Sequence, residues 1–415
     1  MILRLTLRSL TNRWITVALT IFATALSVAL FLGVEKVRTG ARASFANTVS
    51  GVDLIAGARS GSVQLLLYSV FRIGSATNNI TWESYQDLAA LPAVDWIVPL
   101  SLGDSHRGFR VLGTTEAYFD RYKYRGGRSL AFAEGERFGD IFDAVLGADV
   151  ARALGYRLGD EIIVAHGIAS FSYHDDKPFR VAGILEKTGT PVDRTVHVSL
   201  EGIEAIHVDW QGGARLGPAI SAEEVRTMDL TPKAITAAMI GVTSKLAVFR
   251  LQRAINEYPE EPLLAVLPGV ALQELWGLVG VAETALAGVS AMVVATALLG
   301  MGAMILAGLG ERRREMAILR AVGARPRTVV TMLLLEAALI SLAAAALGLV
   351  LLYGGLVILQ PWLDTTYGLY ISIAPPGGTE IAILAAIVAT GTAVGLVPAL
   401  RAYRMSLADG MRVTQ

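Results

Sequence analysis

The sequence predicts a membrane protein: four transmembrane α-helices, with a large α+β extracytoplasmic domain inserted between helices 1 and 2. Three observations carry that prediction. Of the 415 residues, 53% are hydrophobic and 17% charged, a balance too apolar for an ordinary soluble protein. Four apolar runs reach the roughly 20 helical residues that a bilayer core about 30 Å thick demands. Between the first and second runs, about 240 residues instead alternate short apolar stretches with turn residues, as β-strands do.

At the N-terminus, "MILRLTLRSLTNRW" places Leu3, Leu7, Leu10 and Trp14 at helical spacing, with Arg4 and Arg8 on a neighbouring face. That pattern fits a helix lying in the membrane interface. The first spanning run follows from about Trp14 to Val34 without a charge. It is longer than the apolar core of a signal peptide and is followed by no A-x-A site, so it reads as a retained helix. The second run covers about Thr284 to Leu309, the third about Val329 to Leu359 and the fourth about Ile381 to Leu400. The expected domains are 1–34 (interfacial helix and helix 1), 35–283 (the extracytoplasmic domain, in two lobes) and 284–415 (helices 2–4).

Basic residues give an orientation. Arg4, Arg8 and Arg13 precede the first run. Arg312, Arg313, Arg314, Arg320, Arg325 and Arg327 lie between the second and third, and Arg401, Arg404 and Arg412 follow the fourth. Residues 360–380 contain no Lys or Arg. The expected topology has both termini cytoplasmic and residues of about 35–283 outside.

Within the outer segment, "EIIVA", "FRVAGIL" and "RTVHVSL" read as strands, and "WESYQDLAAL" and "DAVLGADVARALG" as helices. After Pro232, "KAITAAMIGVTSKLAVFRLQRAINEY" reads as a strand and then a helix.

Little catalytic chemistry is written in the chain. It has no cysteine, which excludes disulfides, thiolate metal sites and a Cys nucleophile. No GxxxxGK[ST] phosphate loop, HExxH or GxSxG is present, so neither an enzyme nor a bound cofactor is expected. Net charge is zero, and no nucleic-acid partner is implied. All five histidines fall in the outer segment. His174 with Asp175, and His197 with His207, are candidate metal ligands, imidazole and carboxylate being zinc donors, although their spacing matches no known cage. Glu336, inside the third run, is a candidate functional carboxylate or a residue near the interface that pairs with an Arg or a backbone group.

The segment "ERRREMAILRAVGARPRT" separates two spanning runs. Met316, Leu319 and Val322 or Gly323 recur at helical spacing among arginines. Gly323 supplies a helix stop and Pro326 blocks simple continuation. A short amphipathic helix at 311–323 is therefore expected on the cytoplasmic face, offering an apolar knob to a partner groove.

From that segment onward, "ERRREMAILRAVGARPRTVVTMLLLEAALISLAAAALG" resembles the FtsX-like permease domain of MacB-type ABC transporters and their LolC and LolE relatives. The tail "PALRAYRMSLADGMR" resembles the family's closing motif, with Ser406 where proline is common. "VLGADVARALGYRLGDEIIV" and "FRVAGILEKTGTPVDRTVHV" resemble the MacB-like periplasmic domain. The resemblance implies a non-catalytic permease subunit in the inner membrane. Its coupling helix, with Arg312, Arg313, Arg314, Glu315, Met316, Leu319 and Gly323, would dock on a partner ABC-type ATPase. It also implies a second permease copy or paralogue, contact with membrane lipid, and room for a periplasmic partner protein. ATP hydrolysis would move the outer domain for export, extraction or envelope work, a mode described as mechanotransmission. The alternative is a membrane-anchored regulatory or ligand-binding protein, linked in one version to zinc handling.

Overall fold

The structure is a computed structural model. It describes residues 2–404 other than 168–173, 212–213, 216–219, 312–317, 319, 368–370 and 372. It divides into two compact units, Met1–Gly40 with Gly280–Pro361 and Ile371–Gln415, and Ala41–Val279 with Trp362–Tyr370.

The first unit is helical. Four helices are long and apolar enough to cross a membrane: Trp14–Gly40, Pro268–Leu309, Pro326–Leu363 and Gly378–Arg404. The helices themselves run beyond the apolar runs read from sequence, as Trp14–Thr48, Pro268–Glu311 and Pro326–Tyr367. The division between units falls inside all three. Hydropathy marks only the apolar part of a helix, whereas backbone hydrogen bonding continues through the polar turns beyond it. The fourth span breaks at Gly395 into Gly378–Val394 and Leu396–Arg404.

These helices pack through small residues. A Cβ built on Gly348 would come within 2.8 Å of the Ala25 carbonyl oxygen and 2.9 Å of Val28, so only glycine lets the third span approach the first this closely. Gly391 lies against Ser341, Gly395 against Ala337, and Gly302 against Val394. Close backbone approach through small side chains is how helices associate where no hydrophobic force distinguishes lipid from protein. On the first span, Val17, Thr24, Ala25, Val28 and Leu32 are buried, while Ile15, Leu19, Phe22, Leu26 and Leu30 are exposed. Before it, helix Ile2–Asn12 exposes Leu3 and Leu7.

In chain order, the second unit lies mostly between the first two spans and is built on an eleven-stranded mixed sheet. The strand order is Leu263–Val266, Leu54–Ala58, Ala237–Val242, Val94–His106, Phe109–Thr114, Thr195–Ser199, Asp143–Leu146, Phe179–Leu185 and Phe132–Gly135, with Ala165–His166 and Glu161–Ile162 pairing off this path. The long strand Val94–His106 joins the two halves. Its first part pairs antiparallel with Ala237–Val242 and its second with Phe109–Thr114. Two pairings are parallel: Thr195–Ser199 with Phe109–Thr114, and Phe179–Leu185 with Asp143–Leu146.

Side-chain alternation distributes the strands over separate cores. Leu54 and Ala56 enter one core, with Ile240, Leu251 and Ile255, while Ile55 enters another, with Leu66, Tyr118 and Leu112. Ala144, Leu146, Val196 and Val198 enter a third, with Val150 and Ile206.

One sequence reading is corrected here. "DAVLGADVARALG" is not one helix: Asp143–Leu146 is a buried strand, and the helix is Ala148–Leu154, stopped by Gly155 at φ 72°. The run "DAVL" is apolar enough for either state, and pairing with Val196–Val198 decides it. The stretch after Pro232 folds as a strand, Ala237–Val242, and then a helix, Val248–Asn256; beyond it the strand Leu263–Val266 pairs with Leu54–Ala58 before the chain enters its second span.

Candidate functional site

Ion pairs stand near both ends of the helical unit. Arg13 sits at the junction of helix Ile2–Asn12 and the first span, and its Nη2 donates to Glu336 Oε1 at 2.8 Å. Glu336 is fully buried, while the Arg13 side chain keeps 16% exposure. From Pro326, Glu336 lies about 15 Å along its helix at 1.5 Å per residue. Gly308 completes the arrangement, because a Cβ there would overlap the Arg13 guanidinium. In this structure the carboxylate is paired with an Arg.

Near the opposite end, Lys36 Nζ lies 3.1 Å from Glu380 Oε1 and donates to the Tyr353 hydroxyl at 3.0 Å. That hydroxyl donates to the Ala374 carbonyl at 2.7 Å. Arg13 and Lys36 are separated along one helix by about 35 Å, slightly more than a hydrocarbon core of about 30 Å. Lys36 and Glu380 escaped the sequence reading because each lies just beyond an apolar run, where charges are ordinary, and Tyr353 because it is an uncharged residue inside one.

Of the segment between the second and third spans, the structure describes the end. Val322 N–H donates to the Ile318 carbonyl at 3.0 Å and Gly323 N–H to that of Arg320 at 3.1 Å. Gly323 then adopts φ 100°, a left-handed conformation in which a residue with a Cβ is strained. Helix Pro326–Tyr367 begins directly afterwards. Arg312, Arg313, Arg314, Glu315, Met316 and Leu319 lie outside the described residues.

The histidines separate into two environments. His197 occupies the strand Thr195–Ser199 between Val196 and Val198, so it faces the side opposite to theirs. There it is fully buried against Tyr118 and Phe119, with Nδ1 3.2 Å from the Val145 carbonyl oxygen. Burial lowers its pKa to about 3. His174 and His207 do come together, and a third histidine joins them. His166 Nδ1 lies 3.1 Å from His207 Nε2, and the ligand atoms of His166, His174 and His207 all lie within 4.8 Å of one another. Asp104 Oδ1 approaches His166 Nδ1 at 3.3 Å and His207 Nε2 at 3.6 Å. The Asp104 carboxylate raises the pKa of His166. Burial, followed by the neighbouring His207, lowers that of His174 to about 4. Asp175 is exposed and stands apart from this cluster.

The model of the MacB-like periplasmic core domain matches residues 17–248, more than half of the chain, and that of the FtsX-like permease C-terminal region matches residues 287–407. The chain belongs to the MacB/FtsX-type ABC transporter permease family. Among curated proteins it is similar to the pyoverdine export ATP-binding/permease protein PvdT of Pseudomonas fluorescens (strain Pf0-1), 26% identical over 349 residues, covering 79% of this chain and 47% of that protein. It is likewise similar to PvdT of Pseudomonas syringae pv. tomato, 24% identical over 341 residues with the same coverage. The chain thus spans about half the length of these relatives. Among solved structures, the periplasmic region of MacB from Actinobacillus actinomycetemcomitans matches at 12% identity and TM-score 0.34, covering 55% of this chain and 94% of that one. The extracellular domain of the ABC-type transporter YknZ from Gram-positive bacteria matches at 13% identity and TM-score 0.30, covering 52% and 98%.

As a MacB/FtsX-type permease, the protein is a multi-pass membrane protein whose large α/β unit is MacB-like. The Arg13–Glu336 pair falls within the FtsX-like region on the Glu336 side and outside it on the Arg13 side. It therefore ties that region to the interfacial helix across most of the sequence. Nothing local in the chain signals this bond, since only the carboxylate stands out against apolar neighbours.

Proposed function

We propose that this permease is the transmembrane subunit of an ABC complex whose ATPase is a separate protein docking on segment 311–323. Movement there passes through the helices to the MacB-like domain. The observation that carries this reading is how the segment is mounted. Helix Pro268–Glu311 runs for 44 residues up to the first residue of the segment, about 66 Å in length. Gly323 then turns the chain directly into helix Pro326–Tyr367. A displacement of the segment would then act on both flanking helices. The Arg13–Glu336 bond joins the interfacial helix to the same motion.

The missing phosphate-binding loop supports a non-catalytic subunit with ATP hydrolysed by its partner. Arg312, Arg313, Arg314 and Glu315 would orient the docking, and Met316 and Leu319 would fill an apolar groove on the ATPase. The basic flanks favour cytoplasmic termini and a periplasmic MacB-like domain, in an inner membrane. The assembly would contain a second permease copy or a paralogue. Its output would be export, extraction or envelope work, in which a periplasmic partner protein has a place. The relatives' names assign pyoverdine export to those longer proteins.

Affinity purification of the tagged chain from native membranes in mild detergent tests the proposal. A near-stoichiometric P-loop ATPase should accompany it and be lost on Leu319→Asp or Met316→Asp, with the MacB-like domain still folded. Absence of an ATPase even after crosslinking, or full cellular activity in both variants, would overturn the proposal and leave a membrane-anchored binding protein.

A further inference from the structure

We propose that the MacB-like domain holds one divalent transition-metal ion, of the Zn²⁺ class, on His166, His207, His174 and Asp104. The site stands on its own geometry and does not depend on the ATPase reading.

Three donor atoms already stand at ligand spacing. His166 Nδ1, His207 Nε2 and Asp104 Oδ1 are mutually separated by 3.1, 3.3 and 3.6 Å. A tetrahedral zinc ion with bonds of about 2.0–2.1 Å puts its ligands roughly 3.3–3.4 Å apart, and the observed triangle brackets that edge. His174 supplies the fourth corner. It is completely buried, and neither ring nitrogen has a hydrogen-bond partner. Buried polar atoms are nearly always satisfied, so a fully enclosed imidazole with both nitrogens idle is costly unless something binds there. Its ring stands edge-on to His207 with centroids 4.9 Å apart.

The surroundings fix the ligands as metal sites require. His207 Nδ1 donates to the Ile203 carbonyl at 2.8 Å, which leaves the Nε2 lone pair aimed into the cluster. Hydrogen bonding alone accounts poorly for the arrangement. With His207 Nε2 an acceptor, the single N–H at His166 Nδ1 would have to serve both that nitrogen and the Asp104 carboxylate. A cation at the centre of the triangle uses all three lone pairs at once. His166 and Asp104 are register partners on adjoining strands, and His207 ends the helix Leu200–His207. Trp210 covers His174 with ring centroids 4.6 Å apart, and the buried Lys177 donates to Asp209 at 2.8 Å. Lys177 and Asp209 thereby hold the segment carrying His174 against the one following His207.

The donor set names the class of metal. Three imidazoles and one carboxylate, without thiolate, suit Zn²⁺ and neighbouring late divalent ions. Ca²⁺ and Mg²⁺ call for oxygen-rich shells. Bound there, the ion would tie the end of helix Leu200–His207 to the strand pair carrying Asp104 and His166.

The test uses the full-length protein in detergent, stripped of metal and titrated with Zn²⁺ against a chromophoric chelator. One Zn²⁺ per chain should bind. His174→Ala and His166→Ala should each weaken it by at least about tenfold, and Co²⁺ should give the ligand-field spectrum of a tetrahedral ion. His166 is the most exposed of the four, so its variant does not rest on the core and keeps the test valid if His174→Ala misfolds. The proposal is overturned if no Zn²⁺ binds, or if His166→Ala and His174→Ala bind it as tightly as the unaltered protein.

Discussion

Removing either partner of the Arg13–Glu336 bond should destabilise the helical unit, and the two losses should be unequal. With charge centres about 4 Å apart and an effective dielectric of about 20, the attraction is about 4 kcal/mol. Arg13→Ala leaves a carboxylate that is completely buried, where removing the partner of a buried pair costs about 3–5 kcal/mol. Glu336→Gln leaves an arginine with 16% side-chain exposure at a helix junction. That guanidinium can extend its flexible stem toward water, so about 1–2 kcal/mol is expected. Thermal unfolding of the detergent-solubilised protein, followed by tryptophan fluorescence, would read the difference. At about 2–4 °C per kcal/mol for a unit of this size, Arg13→Ala should lower Tm by roughly 6–20 °C and Glu336→Gln by roughly 2–8 °C. The double variant should lose less than the sum of the two, because the residues interact directly. Equal losses, a larger loss for Glu336→Gln, or strict additivity would refute the reasoning.

Helix packing gives a second contrast. Gly348→Val should cost about 1–3 kcal/mol by overpacking, whereas Gly33→Ala, whose Cβ would meet Leu352 at an ordinary 3.5 Å, should leave Tm almost unchanged. A third prediction concerns pH. His197 is buried neutral, with a folded pKa of about 3 against 6.5 unfolded. Its contribution to stability is therefore complete above about pH 6.5 and is lost as pH falls toward 3. Through that window it should change the folding equilibrium of the MacB-like domain about tenfold per pH unit. Denaturant titrations at several pH values should show a shallower slope in His197→Phe. The same variant should bind Zn²⁺ as the unaltered protein does, since His197 lies on the opposite sheet face from Val196 and Val198.

The histidines show how far residue spacing carries. His174 and His207 stood out because each lies in a run of potential ligands, and the same logic drew in His197 and Asp175. Strand parity would have separated His197: "VHV" places its imidazole opposite two core valines, a signal available without coordinates. His166 gave no such signal. It belongs to the cluster because a two-residue strand pairs it with Asp104, and sequence proximity does not encode that register.

By itself, the sequence determined the four spans, the basic flanks, the lack of a phosphate-binding loop and the helix stop at Gly323. Each is a local property: span length against bilayer thickness, charge beside an apolar run, a required backbone conformation. The tertiary structure alone decided the partner of Glu336, the Lys36–Tyr353–Glu380 cluster, the strand state of Asp143–Leu146 and the meeting of His166, His174, His207 and Asp104. Those outcomes depend on which residues long-range packing brings within about 3 Å of each other. Arg13 and Glu336 are 323 positions apart in the chain, and no local pattern records a distance of that kind.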